Sequence, residues 1–332
     1  MPAKAFLAET QRGTAGAEPA PPRRFVMPVP SREEVRVGIF YMLATVFIFT
    51  VINALVKWEA ARYPLGEVVF FRCALSLLPC FALVAGNGGL RLLLRTRRLK
   101  QNVLLGILQF ISLMLIFAAF AMMPLADVVA ISFSTPLFLT LLSIPLLGER
   151  VGLHRWMAVL AGFAGVLLMI RAGGGLGGGV ASTGALLVLA SAAIGAVVTI
   201  AVRRMTLTEP SPVLVTYPAL VTAALSLTLL PFGWTVPDWQ DALLLAAIGL
   251  GSGIGQYWWT QAFRFAPAAV AAPFSYLSMI WSMGLGYLFW GDVPTAMLIA
   301  GAAVVAASGL YILYRETLRR RPQAAPLAGS AD

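Results

Sequence analysis

Apolar residues run through this chain in ten long blocks, and polar residues collect in the short gaps between them. The blocks cover 37–56, 67–86, 102–122, 126–147, 154–171, 182–202, 212–232, 240–262, 268–290 and 295–314. About 20 apolar residues in a helix match the hydrocarbon thickness of a bilayer. The pattern predicts an all-α polytopic membrane protein with ten transmembrane helices. Pro136 and Pro273 fall inside spans four and nine, where each frees backbone carbonyls to bind a solute or simply to bend the helix.

The blocks repeat. Ala119–Arg150 and Ala262–Val293 align without gaps at a shift of 143, with seven identities: Ala119/Ala262, Phe120/Phe263, Pro124/Pro267, Ala126/Ala269, Ser132/Ser275, Leu142/Leu285 and Gly148/Gly291. Glu149 and Asp292 keep an acid after the glycine, and one added residue brings Arg171 opposite Arg315. The expected organisation is a disordered cytoplasmic tail (1–36), a five-helix repeat (37–171), a Gly-rich linker (172–181), a second five-helix repeat (182–315) and a cytoplasmic tail (316–332). The linker GGGLGGG (Gly173–Gly179) lacks the Lys-Ser/Thr ending of a phosphate loop and reads as a flexible connection.

Charge then orients the spans. With the N-terminus in the cytoplasm, twenty Lys and Arg fall in inside segments and three, Lys57, Arg62 and Arg171, fall outside. That asymmetry satisfies the positive-inside rule and places both termini in the cytoplasm. Five spans per repeat is odd, so the second repeat enters the membrane upside down, a recurring plan of secondary transporters. The basic amphipathic stretch Leu90–Lys100 is expected on the membrane surface.

Composition agrees: 59% of the residues are hydrophobic and 11% charged, a balance no soluble domain has. The net charge of +10 is spread between apolar spans, so it reads as retention of loops in the cytosol and not as nucleic-acid binding. Cys73 and Cys80 lie seven apart on one helix, roughly 10 Å along its axis, too far for a disulfide. His154 is the single histidine, which argues against a metal cluster, and no cofactor is expected.

The stretches INALVKW (Ile52–Trp58), VVFFR (Val68–Arg72), SFSTPLF (Ser132–Phe138), LLGERVGLHRWMAVLAGFAGVLLMIR (Leu146–Arg171) and APAAVAAPFSYL in the second repeat resemble the drug/metabolite transporter superfamily, EamA-type branch. The resemblance covers 37–315. It implies a ten-helix inverted-repeat fold, a central cavity and transport of a small metabolite across the inner (plasma) membrane. Members carry amino acids, nucleosides, vitamins and other metabolites. The pattern around Ser132–Phe138 looks closest to S-adenosylmethionine uptake carriers, but riboflavin carriers of the branch share similar stretches, so it leaves the solute open. A homodimer is also left open.

Polar residues inside spans should face protein or water. Arg72 reads either as an anchor for a substrate carboxylate or phosphate, or as a cation satisfied by backbone carbonyls or snorkelling outward. Ser252, Gly255, Gln256 and Trp259 share one face of span eight, and Gln109 and Ser112 share one of span three. Ser132 and Thr135 in span four match Ser275 and Ser278 in span nine; such hydroxyls either line a site near the symmetry axis or bond their own helix. Asn53, Tyr257 and Tyr276 complete the expected lining of a cavity walled by spans one, three, four, six, eight and nine. Trp58, Trp234 and Trp239 are expected as interface anchors. Small-residue pairs, Ala161/Gly165, Ser191/Gly195 and Gly251/Gly255, let helices approach closely. No Asp or Glu is expected deep in a span, which leaves proton coupling to edge carboxylates or to the substrate. An intramembrane enzyme would need a nucleophile–base pair or a metal cluster, for which the chain offers little. A structural or signalling membrane protein is the other alternative.

Overall fold

The computed structural model describes residues 31–320, apart from 87–95, 97, 148–151, 173–178, 206–208, 210, 230–232 and 267. The first tail up to residue 30, most of the basic stretch, all but Gly179 of the Gly-rich run, and Glu149 thus lie outside the described residues. Everything described is helix or connection, with no strand among the described residues.

The first repeat comprises α1 (Arg32–Ala60), α2 (Leu65–Gly86), α3 (Leu99–Met122), α4 (Leu125–Ser132), α5 (Thr135–Leu147) and α6 (Leu153–Ala172). The second comprises α7 (Val180–Met205), α8 (Ser211–Leu227), α9 (Trp239–Phe265), the single turn α10 (Ala268–Ala271), a 3-10 segment Ala272–Tyr276, α11 (Leu277–Trp290) and α12 (Ala296–Arg320). Among the described residues, seven segments are long and apolar enough to cross a membrane: Arg32–Ala60, Leu65–Ala82, Leu99–Met122, Leu125–Leu146, Leu153–Ala172, Val180–Val202 and Ala296–Arg315. Phe40, Leu186, Ile280 and Leu288 point outward at 65–72% exposure, apolar surface that suits lipid rather than water.

Helix ends follow local chemistry more than hydropathy. α1 starts five residues before its apolar run because Ser31 and Glu34 form a reciprocal capping box, with Ser31 N–H donating to Glu34 Oε2 at 2.7 Å and Glu34 N–H to Ser31 Oγ at 3.2 Å. Residues 32–36, expected in the tail, are therefore helical, as are residues 316–320 at the end of α12. Spans four and nine break at the same repeat position, after Ser132 and around Ser275–Tyr276. Gly291 closes α11 with φ +67°, a conformation that favours glycine, and its N–H bonds Tyr287 O at 3.0 Å.

The packing is two-fold. α1 lies along α9 as α3 lies along α7; α2 meets α9 as α8 meets α3; α6 packs on its own counterpart α12, and α2 on its counterpart α8. Each of these contacts crosses between the repeats, so the two halves interlock. Small residues make the crossings close. A Cβ on Gly106 would stand 2.5 Å from Val221 Cβ, and one on Gly249, the same position of the second repeat, 2.5 Å from Leu75 Cβ. Gly165 approaches the backbone carbonyl of Gly301, with 2.8 Å left for any Cβ. At α3–α7 the approach is fastened by Ser112 and Ser191: their hydroxyls lie 2.9 Å apart, and Ser191 Oγ donates to Ser112 O at 2.9 Å.

Candidate functional site

Six helices enclose a cavity of about 590 Å³, within the usual range for small-molecule sites. Its wall is built from helical faces. α2 contributes Arg72, Cys73, Ser76 and Cys80; α3 contributes Gln109, Ser112 and Leu113; α9 contributes Ser252, Gly253, Gln256, Trp259, Thr260 and Phe263. Phe49 of α1, Gly195, Val198 and Val202 of α7, and Leu214, Val215, Ala219 and Thr222 of α8 complete it. These positions run from mid-depth toward the end of the bundle where α1 begins, as Gly38 of α1 against Ala266 after α9 shows. Beside the wall, Phe117 is fully buried and its ring centroid lies 5.3 Å from the Arg72 guanidinium carbon.

Along α3 and α9 the wall uses matched repeat positions with mismatched chemistry. Gln109 corresponds to Ser252, and Leu113 to Gln256. Ser112 corresponds to Gly255, so the serine pair Ser112–Ser191 has as its counterpart a glycine against Ile48 and Phe49. The scaffold is therefore symmetric while the lining is not.

Of the residues singled out in the sequence, Arg72, Gln109, Ser112, Gln256 and Trp259 meet on this wall. The other seven lie off it. Ser132 Oγ donates to Val128 O at 2.7 Å, and Thr135 Oγ1 to Ser132 O at 2.7 Å, each bonding its own chain at the break. Tyr257 accepts from Gln261 Nε2 at 2.8 Å, and Tyr276 stacks on Phe133. Asn53, Ser275 and Ser278 are half-buried away from the cavity. Spans two and seven thus take the place expected for spans four and nine, because the broken helices turn their hydroxyls onto the backbone and pack across the symmetry axis. Ser252, expected on the same face of span eight as Gln256, joins it on the wall, and Cys73, Ser76, Cys80, Thr222 and Thr260 are additions. Ser76 and Cys80 follow Arg72 at four-residue steps, a helical face that the sequence carried.

The end opposite the cavity is closed by contacts between the repeats. Lys57 Nζ lies 3.3 Å from Asp292 Oδ2 and 4.8 Å from the Trp290 ring centre. Arg62 pairs with Asp241 at 3.2 Å, and Tyr63 donates its hydroxyl to the same carboxylate at 2.7 Å. That hydrogen bond holds the Tyr63 phenol above its ordinary titration range. The Thr235 N–H donates to Glu67 Oε2 at 3.2 Å, and Trp234 packs on Phe70 and Phe71 with centroids 5.7 and 5.8 Å away. Trp234 therefore joins the repeats. Glu59 lies beneath this layer, fully buried, with neither carboxylate oxygen hydrogen-bonded. The apolar run of span one stops at residue 56, but α1 continues past it to Ala60 and carries Glu59 inside.

Comparison with known proteins places this architecture. A profile of the EamA-like transporter family matches residues 36–171 and again 182–315, the two repeats. The pseudopaline exporter CntI of Pseudomonas aeruginosa is 30% identical over 278 residues, 82% of this chain and 94% of that protein. A riboflavin transporter of Rhizobium johnstonii is 28% identical, covering 89% of this chain and 96% of its own length. An S-adenosylmethionine uptake transporter of Rickettsia prowazekii is 26% identical, covering 84% and 93%. One solved structure superposes with a TM-score of 0.62 over 87% of this chain and 100% of the other, at 22% identity, which shows the fold alone. With both halves of the chain matched, this protein belongs to the EamA-like transporter family.

Proposed function

We propose that this protein is a secondary transporter that moves a small polar metabolite across the inner (plasma) membrane by alternating access. The observation that carries the reading is the cavity: polar at its centre, reaching one end of the bundle, and shut from the other end by contacts between the two repeats. A rocking of one repeat against the other would exchange the open and closed ends around a fixed site. Five spans in each repeat set the two-fold axis in the membrane plane and give ten crossings, with both termini in the cytoplasm by the Lys and Arg distribution. In that orientation the cavity faces inward.

The relatives move different solutes, one outward and one inward by their names, so they support transport and leave its direction open. The test is reconstitution of the full chain into liposomes, with riboflavin, S-adenosylmethionine and a panel of amino acids offered on both sides. Saturable movement of any of them, abolished by closing the cavity with Gly195→Trp, where a Cβ meets nothing nearer than 4.0 Å, is the expected result. Leakage that is neither saturable nor affected by that change sinks the reading.

A further inference from the structure

Arg72 is the one charged side chain among the described residues of the cavity wall. It stands on α2 seven residues past the helix start, roughly 10 Å along the axis. A guanidinium at such depth requires partners. Among the described residues no ion pair or hydrogen bond reaches it; the pairs Lys57–Asp292 and Arg62–Asp241 engage other cations at the closed end. The Phe117 ring offers a face to the cation but leaves its five N–H donors unused. The backbone-carbonyl alternative admitted by the sequence has no hydrogen bond to support it.

The surroundings suit an anion. Gln109 and Gln256 bring neutral amides to the same space, and Ser252 Oγ is buried there without a partner. None of the described wall residues is acidic, so nothing on the wall balances a cationic solute. We propose that the solute carries an oxyanion, a carboxylate or a phosphate, which seats on the Arg72 guanidinium, and that the cavity disfavours cations. This rests on the transport reading of the same cavity. A planar fork of donors matches either oxyanion through two parallel hydrogen bonds, which a lysine at the same place cannot supply.

The test uses single cysteines in the purified full chain with Cys73 and Cys80 replaced by serine. Ser76→Cys lies one turn from Arg72, and Thr260→Cys is exposed toward the open end. Each is reacted with methanethiosulfonates bearing either a sulfonate or a trimethylammonium group. A basic pocket concentrates anions, so the anion-to-cation rate ratio at residue 76 should exceed that at residue 260 by roughly tenfold. Arg72→Gln should collapse the difference, and Arg72→Lys should keep most of it. Benzoate or phenyl phosphate should slow the sulfonate reagent at residue 76, and whichever protects identifies the group; benzyl alcohol should not protect. A ratio unchanged by Arg72→Gln, or equal protection by benzyl alcohol, overturns the oxyanion assignment while leaving the cavity intact. If residue 76 is inert to both reagents while residue 260 reacts, water does not reach the site, and the transport reading itself fails.

Discussion

The ring of Phe133 stacks on that of Tyr276, with centroids 4.6 Å apart and planes 25° from parallel. The two residues hold the same position in the two repeats, 143 apart. Equivalent positions can touch only where the symmetry axis passes between them. The stack therefore marks the axis, at the breaks between α4 and α5 and before α11. Helix pairs that are each other's counterparts, α2 with α8 and α6 with α12, meet along the same axis.

This contact should be energetically coupled. Phe133→Ala and Tyr276→Ala should each lower stability, and together should cost less than their sum. The coupling expected for a stacked aromatic pair is about 0.5–1.5 kcal/mol. Tyr276→Phe should retain it. Reversible unfolding in mixed micelles supplies the double-mutant cycle, and strict additivity would place the axis elsewhere.

The ion pairs at the closed end should favour closure without holding the fold together. The Arg62–Asp241 pair has its arginine exposed and the Lys57–Asp292 pair is part-buried, and single pairs of this kind contribute on the order of 1 kcal/mol or less. Lys57→Ala combined with Asp241→Ala should leave abundance and melting nearly unchanged. It should raise the labelling of a cysteine at Phe120, which is buried now. Restoring one pair by reversal, Lys57→Asp with Asp292→Lys, should bring labelling back toward the native level. Unchanged labelling in all variants would show that the aromatic packing around Trp234 closes this end alone.

Glu59 should be replaceable by an apolar side chain. Its two oxygens are buried without a donor, and such a group costs free energy rather than supplying it. Glu59→Leu should melt no lower than the native chain. Glu59→Arg, which leaves a buried charge, should lose folded protein by several-fold. A lower melting temperature for Glu59→Leu would reveal a stabilising partner for the carboxyl.

Orientation is testable at exposed positions near the two ends. Thr183 lies in the first turn of α7, and Leu153 begins α6 at the opposite end of the bundle. In a cysteine-free background, Thr183→Cys should react with an impermeant thiol reagent in intact cells. Leu153→Cys should react only after permeabilisation. The reverse pattern would invert the topology inferred from Lys and Arg.

Much of this protein was legible in one dimension. Continuous apolar blocks of about 20 residues form helices, because a helix of that length crosses the bilayer with its backbone hydrogen bonds satisfied within itself. The 143-residue echo from Ala119/Ala262 to Gly148/Gly291 is the sequence's sign of a two-repeat fold. Arg72, Gln109, Ser112, Gln256 and Trp259 came to one wall because each is polar or amphipathic in an apolar run and shares a helical face with others.

The tertiary structure decided which faces meet. In water, the apolar stripe of a helix shows which side turns inward; in lipid the outside is as apolar as the core, and that signal fades. Helix rotation is set instead by close crossings at Gly106, Gly249 and Gly165, whose partners Val221, Leu75 and Gly301 lie far away in sequence. Those crossings bring spans two and seven, not four and nine, onto the cavity. They let the hydroxyls of Ser132 and Thr135 be spent on their own backbone, and they bury Glu59 beneath a layer of ion pairs. Spacing along one chain states what a helix can present, and only the neighbouring helix determines what it does present.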